Sequence, residues 1–90
     1  MNIQITNLNP SLIESDLQRL FTPYGEIRSI TIDRDKLNNR SRGRAFVDMP
    51  VEKEARNAIL NLTGAVLGGR TISVHEVGTP EELKNRKTNF

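Results

Sequence analysis

Two apolar stripes of identical helical spacing, 38 residues apart, each lie between segments that alternate with period two. Ile13, Leu17, Leu20, Phe21 and Tyr24 share the spacing i, i+4, i+7, i+8, i+11 with Val51, Ala55, Ala58, Ile59 and Leu62, which predicts two helices with one buried face each. Four strands are predicted where apolar residues alternate: Ile3 and Ile5; Ile30 and Ile32; Ala45, Val47 and Met49; Ile72 and Val74. Alternation this strict leaves one side of each strand apolar and the other polar. One sheet face is therefore covered by both helices and the other meets solvent.

The order is strand, helix, strand, strand, helix, strand, a doubled βαβ unit in which Ile3-x-Ile5 recurs as Ala45-x-Val47 after 42 residues. Right-handed crossovers set such a chain as an α+β, ferredoxin-like βαββαβ sandwich. Its four-stranded antiparallel sheet has the order 4-1-3-2, with two helices on one face. Local signals mark the boundaries. Ser11 and Glu14 have the spacing of a capping box, and Thr22-Pro23-Tyr24-Gly25 stops the first helix. The second helix is expected after Pro50 and before Gly64, and Gly68-Gly69 forms a tight turn before the last strand. Asp33 to Gly43 links the second and third strands, with Asn38-Asn39 as its turn. The predicted domain is residues 1–77. Residues 78–90 form a polar tail, frayed or briefly helical from Thr79-Pro80-Glu81-Glu82, with Leu83 and Phe90 as its sizeable apolar residues.

Ninety residues allow one compact core, because a chain of this length buries only about 60 to 65% of its extended surface. No cysteine and one histidine exclude a disulfide framework, thiolate metal sites and a multi-histidine zinc site. No cofactor is implied. Apolar runs stop at three residues, far short of the roughly 20 that span a bilayer, and no secretory segment is visible at Met1, so the expected location is the cytoplasm. The net charge of +2 hides a local excess. Arg34, Lys36, Arg40, Arg42 and Arg44 face only Asp35 within residues 34–44, while the rest of the chain is near neutral. A basic patch so localised attracts polyanions; the plainer account is a solvated loop.

Period-two counting places Asn2, Gln4 and Thr6, Thr31 and Asp33, Arg42, Arg44, Phe46 and Asp48, and Ser73 and His75 on the solvent side of the sheet. Phe46 is out of character there. With Ala45 and Val47 inward, its ring must stand outward, where an aromatic flanked by arginines can stack a nucleobase while the guanidinium groups meet phosphate. Lys36, Arg40 and Arg34 add capture from the loop. His75 has no nucleophile or partner in sequence and is expected to be a surface residue of an edge strand.

These residues resemble an RNA recognition motif (RRM) domain over about residues 2–77. The family octamer, basic-Gly-aromatic-small-aromatic-aliphatic-x-apolar, is matched by Arg42-Gly43-Arg44-Ala45-Phe46-Val47-Asp48-Met49, with Arg44 where an aromatic is expected. The family hexamer is matched by Ile3-Gln4-Ile5-Thr6-Asn7-Leu8, with Gln4 in place of a stacking ring. Asp16-Leu17, Leu20-Phe21, Tyr24-Gly25-Glu26-Ile27 and Gly69-Arg70 also fit, and the chain is similar to small single-domain RRM proteins of bacteria. The resemblance implies that Phe46 stacks a base, Arg42 meets phosphate or a base edge, and Asn7 holds a turn. Gln4 is left to hydrogen-bond and Arg44 to stack by its guanidinium.

The expected function is binding of single-stranded RNA, with single-stranded DNA as the alternative strand. Affinity should be weak to moderate, because two of three usual rings are replaced. If three or four phosphates are neutralised, log K should fall with log salt at a slope of roughly −2 to −3. The binding set comprises Phe46, Arg42, Arg44, Gln4, Thr6, Lys36, Arg40, Ser73 and His75. A protein-binding module on the same fold is the main alternative, although Glu14, Gln18, Glu52, Lys53 and Arg56 make the outer helix faces polar and Ile72 stands where a peptide pocket would want an aromatic. An acylphosphatase-like hydrolase shares the topology but needs a Gly-rich loop after the first strand, where Asn7-Leu8-Asn9-Pro10 stands instead. No catalysis is expected, and the oligomeric state is left open.

Overall fold

The computed structural model of the protein describes residues 1–78. The tail expected at 78–90 lies, from Thr79 onward, outside the described residues. Strands β1 (Asn2–Thr6), β2 (Ser29–Arg34) and β3 (Ser41–Asp48) precede the short strands β4 (Val66–Leu67) and β5 (Arg70–Thr71) and then β6 (Ser73–Val77). Helix α1 (Glu14–Phe21), extended by a 3-10 turn over Thr22–Tyr24, lies between β1 and β2. Helix α2 (Glu52–Leu62) follows β3. The main sheet has the order β2-β3-β1-β6 with antiparallel pairs throughout, which is the expected 4-1-3-2 order once β6 is counted as the fourth long strand.

Alternation decides which side of the sheet is covered. Ile3, Ile5, Ala45, Val47, Met49, Ile32, Ile72 and Val74 are all buried, and they pack with Leu8 and with Leu17 and Phe21 of α1 and Ala55, Ala58 and Leu62 of α2. Every strand position expected to point inward does so, with Ile30 half-buried at the sheet edge. Among the described residues, no helix is long and apolar enough to cross a membrane.

Two local expectations are corrected and a third is extended. The capping contact of α1 is not between Ser11 and Glu14. The Ile13 N–H instead donates to Asp16 Oδ2 at 2.9 Å, because Asn9 Oδ1 already engages both the N–H and the hydroxyl of Ser11 and the helix begins later. Ile13, at the N-cap, is consequently 50% exposed, and Leu12 packs on the core in its place. Gly68-Gly69 is more than a turn: both glycines have positive φ and close a two-residue hairpin between β4 and β5, a geometry that tightly connected strands favour.

The chain after β1 is stitched to the rest of the sheet. Asn7 takes a left-handed conformation (φ 61°), and its amide donates to the Thr71 carbonyl at 2.8 Å. The Leu8 N–H donates to the Gly43 carbonyl at 2.8 Å, and the Asn9 amide donates to the Gly68 carbonyl at 2.9 Å. Asn7 is thus the structural turn residue expected of it. Gly43 has φ 82°, and a Cβ there would lie 3.2 Å from the carbonyl oxygen of Leu8, whose own N–H is tied to the Gly43 carbonyl. Gly43→Ala should therefore cost about 1 to 3 kcal/mol, read as a lower urea midpoint. An unchanged midpoint would show that the start of β3 relaxes freely.

Candidate nucleic-acid interface

The register sets one row of side chains straight across the open face. Phe46 on β3 is paired with Thr31 on β2 and with Gln4 on β1, and Gln4 is paired in turn with His75 on β6. The Phe46 ring is 39% exposed, outward as its position between Ala45 and Val47 requires. It therefore offers an aromatic surface bordered by small or polar neighbours. His75 Nε2 lies 2.9 Å from Gln4 Oε1; the oxygen can only accept, so the ring nitrogen donates in this arrangement. That bond fixes the Gln4 amide beside Phe46. In the next row Thr6 is paired with Ser73. Phe46, Gln4, Thr6, Arg44, Ser73 and His75 thus share one face.

The cations are organised differently from their sequence order. Arg44 Nε donates to Asp33 Oδ2 at 2.6 Å, Arg42 lies 4.0 Å from the other Asp33 oxygen and 3.8 Å from Asp35, and Arg34 reaches Glu14 at 3.0 Å. The Glu14 carboxyl is held below the ordinary carboxylate range, first by a hydrogen bond from its own backbone and then by Arg34, with partial burial opposing. Three of the five basic residues in 34–44 are therefore compensated. Among the described residues, Lys36 and Arg40 make no ion pair.

Both uncompensated cations stand on an ordered tip between β2 and β3. Asp35 Oδ1 accepts from the N–H groups of Leu37 and Asn38, at 2.8 and 3.4 Å. Asn38 Oδ1 accepts from the Arg40 N–H, and the Asp35 N–H donates to the Arg40 carbonyl at 2.8 Å. Asn39 supplies the expected left-handed residue (φ 58°). Leu37, between the cations, is 97% exposed. A lone leucine in a polar loop carries no periodicity, so nothing in the sequence marks it.

A family model described as RNA recognition motif matches residues 3–73. The chain belongs to the RNA recognition motif family. It is 34% identical over 82 residues to the RNA-binding protein RbpD of Nostoc sp., covering 91% of this chain and 87% of that protein. Other relatives are several times longer, and the chain spans 21% and 22% of two of them. Among solved structures, the RNA-binding protein PG1 superposes with a TM-score of 0.84 at 38% identity, covering 89% of this chain and 98% of that one. A Sxl-lethal protein/RNA complex gives 0.80 at 36% identity, covering 84% of this chain and 47% of that chain.

In this RRM domain the octamer occupies β3 and Met49, and the hexamer runs from β1 into the turn at Asn7. The two motifs are thus adjacent, Gln4 beside Phe46, with Arg44 two residues before Phe46 on the same strand. Arg42 lies at the start of β3, held between the carboxylates of Asp33 and Asp35. The lone histidine is tied to Gln4 instead of facing solvent alone. In the sequence Asp33 was legible only as a solvent-side strand residue, and Asp35 only as the lone acid of the basic segment 34–44. Their arginine partners depend on a register shift in β2 between Ile32 and Arg34, which no linear spacing reveals.

Proposed function

We propose that this RRM domain binds single-stranded RNA across the open face of its sheet, with single-stranded DNA as the weaker alternative. The observation that carries the proposal is the outward Phe46 ring, centred in a row whose other members are polar and hydrogen-bonding. A base stacked on that ring lies within reach of the Gln4 amide, and unpaired bases are what such faces accept, because duplex bases have their faces already covered. Thr6, Ser73 and His75 extend the polar row along the strand path, and Arg42 and Arg44 border it. Named similarity supports the same reading, since RbpD is called an RNA-binding protein and one structural neighbour is a complex with RNA.

One ring in place of several implies modest affinity, as each stacked base contributes about 1 to 3 kcal/mol. Capture falls to Lys36 and Arg40, because Arg34, Arg42 and Arg44 already have carboxylate partners. Titration of a fluorescent random-sequence RNA oligonucleotide at several salt concentrations tests both parts. The protein should bind at low salt, and replacing Lys36 and Arg40 together by alanine should flatten the log K against log salt slope by about 1.4, the release expected for two phosphates of a single strand. An unchanged slope would remove the loop tip from the site, and no binding at low salt would remove the function.

The protein-binding alternative would use an outer helix face. Leu60 of α2 is 77% exposed there, but the hollow it borders with Tyr24 is otherwise lined by Glu52, Lys53, Glu54, Arg56 and Asn57, where a docking patch needs a contiguous apolar surface.

A further inference from the structure

Asp33 is an unexpected residue to find on a surface that meets a polyanion. Its carboxylate lies among the two arginines of the open face, and simple electrostatics makes it a liability. It repels phosphate and occupies Arg44, so its removal should tighten binding. The geometry argues the opposite. Asp33 Oδ2 takes its hydrogen bond from Arg44 Nε at 2.6 Å, and a bond to that nitrogen lies in the guanidinium plane, so the bond itself covers neither flat side of the group. The Arg44 side chain keeps 47% of its surface exposed despite the pair. A guanidinium whose charge is balanced in its own plane is poorly suited to neutralise a phosphate. It is well suited to lie flat against a base or ribose, being only weakly hydrated on its faces.

Position supports this. Arg44 precedes Phe46 by two residues on β3, so both point to the same side about 7 Å apart. Asp33 sits where β2 departs from regular pairing, and this irregularity lets one strand residue address both arginines of its neighbour. Left alone, a long arginine side chain would sample many rotamers, and contact with the strand would have to order it on binding.

We propose that Asp33 is a positioning residue: it holds the Arg44 guanidinium on the open face as a second flat contact for the nucleic acid, beside the Phe46 ring. The inference rests on RNA binding as argued above. It assigns Arg44 to stacking more than to charge, and it gives a carboxylate a favourable role on a surface for a polyanion.

The test reads affinity and salt slope together for variants titrated against the same labelled random RNA oligonucleotide, with urea midpoints as a folding control. Asp33→Ala should weaken binding about 3- to 10-fold although it removes a negative charge, and Asp33→Glu should recover most of that loss. Arg44→Lys, which keeps the charge and loses the plane, should weaken binding by a similar factor at an unchanged slope. Arg44→Phe, which keeps a plane and loses the charge, should stay within about 3-fold of the parent protein. Tighter binding by Asp33→Ala, or Arg44→Lys equal to the parent while Arg44→Phe fails, would overturn the positioning role and leave a purely electrostatic site. If Phe46→Ala weakens binding in that same experiment, only this inference falls. If the parent protein fails to bind at low salt, the proposed function falls with it.

Discussion

Phe46→Ala should weaken RNA binding about 5- to 150-fold and leave the fold intact. The range follows from the loss of one stacking platform, about 1 to 3 kcal/mol, with no second ring at Gln4 or Arg44 to share the load. The effect should approach the upper end if the Gln4 amide reads the same base, because that contact is then lost too. Stability should change little, since the ring stands on the open side of the sheet, away from the buried cluster of Ile3, Ile5, Val47 and Phe21. Anisotropy titration and urea unfolding of the same preparation check both halves. Equal affinities for variant and parent would take Phe46 out of the site.

The neighbouring inward position behaves in the opposite way. Ile5 is fully buried one residue from Gln4, against Ala45 on one side and Val74 on the other. Ile5→Ala should cost about 2 to 5 kcal/mol through lost burial and the cavity left behind, out of the roughly 5 to 15 kcal/mol that holds a small domain folded. In a domain of this size that corresponds to a melting temperature lower by about 10 °C or more. At temperatures where the variant remains folded, its RNA affinity should be close to that of the parent. A loss below about 0.5 kcal/mol would mean that the centre of the core repacks around the missing atoms. The contrast between positions 5 and 46 separates what holds the sheet together from what the sheet presents.

That division was legible in the chain itself, because burial on one face imposes period two and a one-residue slip would turn every strand inside out. The same constraint made Phe46 visible as an aromatic in an outward position, and it placed Gln4, Thr6, Ser73 and His75 on its side of the sheet. Where packing imposes no period, the residues gave less away. Ile13 lies at the edge of the α1 stripe, and its place in the core passes to Leu12 because the helix begins at an N-cap that periodicity does not mark. Strands β4 and β5 have two residues each, too few to alternate. The charge on residues 34–44 was countable, but its pairing was not. Asp33 meets Arg44 across two strands at an irregular register, so the patch that reads as five cations presents two uncompensated ones among the described residues, both at the loop tip.

Hydrogen-bonding pairs on the face follow the same logic. Gln4 and His75 are 71 positions apart, and only the β1–β6 register brings them to 2.9 Å. Their contact converts two isolated polar residues into one oriented group beside the ring.

Nucleic acid should lie on the open sheet face over Phe46, and an NMR titration of the 15N-labelled protein with a short random RNA oligonucleotide at low ionic strength reads that placement residue by residue. The amides of Gln4, Thr6, Arg44, Phe46 and His75, with those of the loop from Lys36 to Arg40, should shift progressively, while α1 and the outer side of α2 stay unperturbed. Shifts confined to the helices, or none at all at oligonucleotide excess, would contradict it.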